Sequence, residues 1–82
     1  MTDNTYNGWR NRNTWNVALW LGNDYPLYQA TKGYAKYASP FLSLRQDFRD
    51  SINYIETKDG VSLWSGDLDI NALDDFINEM VD

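Results

Sequence analysis

The residues best equipped for chemistry fall in three short stretches. In Gly8-Trp9-Arg10-Asn11-Arg12-Asn13-Thr14-Trp15, guanidiniums alternate with amides and indoles. Arginine grips phosphate or carboxylate through paired N–H groups, an indole stacks on a flat partner, and asparagine reads a hydrogen-bonding edge. In Asp67-Leu68-Asp69-Ile70-Asn71, oxygen ligands alternate as at the start of a calcium loop. Such a loop needs glycine sixth and glutamate twelfth, and counting from Asp67 these places hold Ala72 and Asn78. Helix capping explains the alternation more simply, so no metal site is expected. The carboxylate pairs Asp67 with Asp69 and Asp74 with Asp75 offer acid–base groups. Two-carboxylate catalysis needs them to face each other across a cleft. Clustered at one expected helix start, they read as solvated charge.

The composition narrows the choice. The 82 residues include no Cys and no His, so there is no thiolate nucleophile, no imidazole base and no disulfide, and zinc lacks its usual ligands. Phosphate-binding glycine loops, dinucleotide fingerprints and hydrolase elbows are missing as well. The expectation is a binding protein, not an enzyme, with no cofactor. Net charge is −5, unevenly spread: residues 1–49 hold six basic against three acidic side chains, and residues 50–82 one against nine. Two alternatives follow. Arg10, Arg12, Lys32 and Lys36 would contact nucleic acid if they shared a face, or the acidic half would imitate DNA. Both rank below protein binding, because the chain is anionic and non-specific affinity grows with the number of phosphates neutralised.

The elements expected to position these residues are helices. Asn7-Gly8 marks a turn within an irregular lead-in, residues 1–12. A first helix is expected over 14–21, capped by Asn13 and stopped by Gly22-Asn23. It is apolar nearly all round, with Trp15 and Trp20, which places it in the interior. Asn16 would then need partners, at a cost of about 1–3 kcal/mol if it found none. A second helix should run over 24–38 from Asp24 and Pro26, and a third from Ser39-Pro40. The stripe of the third is Phe41, Leu44, Phe48, Ile52 and Ile55. Residues 54–64 read as a minor hairpin or, preferably, an ordered loop with Trp64 plugging the core. A last helix is expected over 69–81, with Leu68 and Leu73 as a hydrophobic staple. The prediction is one all-α domain of about four short helices spanning residues 1–82.

Within that frame the partner-binding candidates are Trp9, Arg10, Arg12, Tyr25 and Tyr28, aromatic or arginine anchors near capped turns, the types that dominate interface hot spots. Rings left over after core filling would equally suit a seam between two copies of the chain. The polar start shows no secretory signal, and the longest apolar run, residues 17–21, is too short for a membrane span. A location in the cytoplasm is expected.

Gly8-Trp9-Arg10-Asn11 followed by Thr14-Trp15-Asn16-Val17-Ala18-Leu19-Trp20-Leu21-Gly22-Asn23-Asp24 resembles a group of small uncharacterised bacteriophage-type and cyanophage-type proteins. The likeness covers residues 8–24 and, more loosely, the segment from Asp67 onward. It implies origin and setting rather than chemistry: an accessory factor of a phage or mobile element that modulates a host protein in the bacterial cytoplasm.

Overall fold

Asn11, not Asn13, opens the first helix. Its Oδ1 accepts from the Thr14 backbone N–H at 2.8 Å and from the Thr14 hydroxyl at 2.7 Å, satisfying one of the N–H groups that a helix start leaves without a partner. The computed structural model describes residues 6–81. Within them the chain is all-α, with α1 Arg12–Asn23, α2 Tyr25–Lys32, α3 Pro40–Ile52 and α4 Ile70–Glu79. Of the expected lead-in, residues 1–5 lie outside the described residues and Arg12 is already helical. Before it, Asn7 and Gly8 adopt φ of 50° and 89°, and Tyr6 and Trp9 exchange backbone hydrogen bonds of 2.6 and 2.8 Å. This is the mirror-image turn that an Asn-Gly pair favours.

Gly22 lies inside α1 rather than stopping it. A Cβ at this position would come within 3.0 Å of Cζ of Phe76, so the missing side chain is what admits the Phe76 ring. Asp24 ends α1 and caps α2, accepting from the Leu27 N–H at 3.2 Å. α2 stops at Lys32, six residues short of the expected end. Gly33 is a poor helix former, and Ser39, as the residue before Pro40, is turned out of helical geometry at φ −137° and ψ 79°. Between them Lys36 is left-handed at φ 72°, its backbone N–H held by Asn78 Oδ1 at 2.6 Å.

α3 begins at Pro40, but the Ser39 side chain makes no capping bond. Asp74 of α4 supplies it instead, accepting from the Phe41 N–H at 2.8 Å. Phe41, Leu44 and Phe48 are buried as the stripe requires, whereas Ile52 and Ile55 are 57% and 42% exposed. α3 ends at Ile52, where Asn53 takes a left-handed φ of 55°, so Ile55 falls outside the helical stripe. The expected hairpin reduces to one bridge, Glu56 with Ser62. Leu63 is the residue that fills the core, and Trp64, its neighbour, is 37% exposed. The expectation that Trp64 plugs the core is therefore wrong by one position: Leu63 and Trp64 are the central residues of a turn closed by the Ser65 N–H on the Ser62 carbonyl at 3.2 Å, and only Leu63 is turned inward.

α4 starts as its sequence indicates. Asp69 Oδ1 accepts from the Ala72 N–H at 3.2 Å, and Leu68 and Leu73 are both buried. α1 packs on α2 and α3 on α4, around a core of Val17, Leu21, Phe41, Leu44, Leu63, Leu73 and Ile77. Burying each such aliphatic or aromatic side chain is worth about 1.5–3 kcal/mol. Among the described residues, no helix is long and apolar enough to cross a membrane.

Candidate functional site

α1 carries three stripes with different tasks. Thr14, Val17, Ala18 and Leu21, at helical spacing, are buried in the core. Trp15 and Trp20 are not interior as expected; each is half-buried, because each belongs to one of the other two stripes.

The polar stripe, Asn13, Asn16 and Trp20, faces the long connection between α3 and α4. Asn16 is fully buried and fully engaged: its Nδ2 donates to Asp59 Oδ2 at 2.7 Å and its Oδ1 accepts from the Thr57 hydroxyl, also at 2.7 Å. The Trp20 indole N–H donates to the same Asp59 oxygen at 3.0 Å. These two donors, Asn16 first, hold the Asp59 carboxyl below its ordinary range, with a further contribution from the Arg12 charge. Further along, Asn13 Nδ2 donates to Asp67 Oδ2 at 2.9 Å and Asn11 Nδ2 to the Asp67 carbonyl at 2.6 Å. The Thr14 hydroxyl accepts from the Asp69 N–H at 3.0 Å. The amides and hydroxyl of the motif thus fasten the connection to the helix.

The third stripe is Trp15, Leu19 and Gly22. With Trp9, Tyr28, Phe76 and Met80 it lines an open groove of about 350 Å³ between α1, α2 and α4. Trp9 meets Phe76 edge to face at 5.4 Å between centroids, and Tyr6 meets Trp15 at 4.8 Å. Lys32 lies over the Tyr28 ring, its ammonium 4.9 Å from the centroid. On the α4 side, exposed Asp75 and Glu79 adjoin Phe76 and Met80 in sequence. This arrangement suits an apolar side chain presented on a protein segment. A second, polar hollow of about 670 Å³ lies beside the start of α4. There Arg10 pairs with Asp69 at 3.4 Å, and Ser65 donates to Asp67, so its groups serve one another.

Of the sequence candidates, the structure brings Trp9 and Tyr28 together in the groove. Arg10 is drawn to Asp69, Arg12 is exposed at the first residue of α1, and Tyr25 stands out at 69% exposure at the start of α2. Of the four cations of the nucleic-acid alternative, Arg10 and Lys36 stand at opposite ends of α4. Arg10 sits at the first turn of α4, whereas the backbone of Lys36 is tied to Asn78 at its last, about 13 Å away by helical rise. In the acidic half, Asp59, Asp67, Asp69 and Asp74 all accept hydrogen bonds from the fold. Among the described residues, no group of three carboxylates is placed to hold a metal ion.

Sequence reasoning missed Trp15, Phe76 and Met80 as groove residues. The signal was present, since Trp15, Leu19 and Gly22 recur at steps of four and three, but an indole at such spacing reads equally as core.

No curated protein and no solved structure matches the chain. A family model does match it, over residues 2–82, and the chain therefore belongs to the DUF7249 family, a family of unknown function.

Proposed function

We propose that this chain is a non-enzymatic protein-binding module that holds an apolar side chain of its partner in the groove between Trp9, Trp15, Tyr28 and Phe76. The observation that carries the reading is the third stripe of α1. Its Trp15 ring is half-buried and makes no hydrogen bond to the connection, and with the rings of Trp9, Tyr28 and Phe76 it converges on one open groove. Aromatic side chains gathered at a partly exposed concavity are the usual anchors of protein recognition. The carboxylates of Asp75 and Glu79 beside Phe76 and Met80 favour a partner segment with basic residues flanking its apolar anchor. The resemblance over residues 8–24 supports a setting: an accessory factor of a phage or mobile element, modulating a host protein in the bacterial cytoplasm.

Tagged chain and a Trp9→Ala, Tyr28→Ala variant, both shown to be folded by circular dichroism, should be compared in pull-downs from bacterial lysate. The wild type is expected to retain a defined protein that the variant loses. Equal retention by both, or no retained protein, defeats the groove as the binding surface.

A further inference from the structure

We propose that Arg45, Arg49 and Trp64 form a second binding site, on α3, for an acidic protein segment that also carries an apolar side chain. α3 contributes no residue to the groove. The ζ carbons of Arg45 and Arg49 lie 5.0 and 5.4 Å from the Trp64 ring centroid, so one indole lies across two guanidiniums a helical turn apart. Core filling does not account for the indole, because Leu63 already takes the interior position of this connection.

The two arginines are held but not used up. Arg45 Nη1 donates to the Leu63 carbonyl at 3.1 Å, which fixes the head and leaves most of its five N–H groups available. Arg49 Nε pairs with Asp50 Oδ1 at 3.2 Å, both side chains about half exposed, and a pair of that kind contributes little. Like charges four residues apart on a helix repel. A carboxylate from outside that bridged them would remove the repulsion and accept charge-assisted bonds from both.

The surroundings choose the ligand class. Ile52, seven residues beyond Arg45 on α3, and Ile55 just past its end are exposed and apolar, which suits an aliphatic neighbour of the carboxylate. A nucleic acid fits less well. A duplex would bring a phosphate charge about every 1.7 Å, more than two arginines a helical turn apart can neutralise, and it offers no aliphatic side chain for Ile52 and Ile55.

The test is a titration of ¹⁵N-labelled chain, followed at the arginine Nε–H and indole N–H resonances. The probes are an acetylated octapeptide alternating Glu and Leu, its Gln-for-Glu counterpart, and a twelve-residue oligothymidylate. The Glu-Leu peptide is expected to shift Trp64, Arg45 and Arg49 saturably while Trp9 and Trp15 stay in place. Binding should weaken roughly ten-fold with the Gln peptide and by a similar factor in Arg49→Gln, a variant that leaves the Arg45–Leu63 bond intact. No saturable shift, equal binding of the two peptides, or undiminished binding by Arg49→Gln overturns the proposal. Tighter binding of the oligothymidylate overturns it in favour of a nucleic-acid site. Because Trp9 and Trp15 report on the groove separately, either site can fail without the other.

Discussion

The two stripes of α1 outside the apolar core each carry a tryptophan, yet they do opposite work. Along Asn13, Asn16 and Trp20, every polar group named above ends on a partner within the chain, and the indole serves through its N–H. Along Trp15, Leu19 and Gly22, ring surface is gathered into a groove that the fold does not fill. A tryptophan therefore says little by its presence in a motif. What separates fastener from binding surface is whether its N–H and its face are both occupied.

The contrast can be broken from the fastening side first. Asn16→Ala should be the most costly change, about 3 kcal/mol, since it removes one buried and one part-buried hydrogen bond and leaves the Thr57 hydroxyl without its acceptor. Urea denaturation measures it. Gly22→Ala acts on the groove side. The helix gains up to about 1 kcal/mol in propensity, but the new methyl meets Phe76 at 3.0 Å. The expected net is a loss of about 1 kcal/mol, together with a groove that no longer accepts its partner; thermal melts and binding read the two separately.

Smaller effects sharpen the picture. The Tyr54 phenol is pushed up to about 12 by burial, then by the Asp24 charge, and among the described residues its hydroxyl has no hydrogen-bond partner. Tyr54→Phe removes that stranded oxygen and keeps the edge contact with Phe48, so stability should hold or rise by up to about 1 kcal/mol. Asp59 gives the pH dependence. Its folded pKa is depressed, so its contribution is present above the unfolded carboxylate value and is lost as pH falls through the folded value. The Trp20 indole N–H resonance should move in that acidic window, and Asp59→Asn should abolish the movement.

Much of the fold is legible because local rules and tertiary packing agree. Asp24, Asp69 and the Leu68–Leu73 staple stand where their types indicate. The expectations fail where a distant residue decides. Asn11 outcompetes Asn13 as cap because Asn13 reaches for Asp67, and Ser39 yields its capping role to Asp74 from the other end of the chain. Past the end of α2, Asn78 holds the left-handed backbone of Lys36. The site was half legible. Trp9 and Tyr28 stand out by type, but Phe76 enters the groove only because Gly22 lets it, and no local pattern carries that pairing.

The four tryptophans allow the most direct test, since Trp9 and Trp15 lie in the groove, Trp20 is bonded to Asp59, and Trp64 stacks against Arg45 and Arg49 of α3. Chain labelled with 5-fluorotryptophan should show four ¹⁹F resonances, assigned by single Trp→Phe replacements. Adding the captured partner, or a fragment of it, is expected to shift the Trp9 and Trp15 signals together and leave Trp20 unmoved. A partner that moves Trp20 while Trp9 and Trp15 stay fixed would contradict the division of α1 into a fastened stripe and a binding stripe.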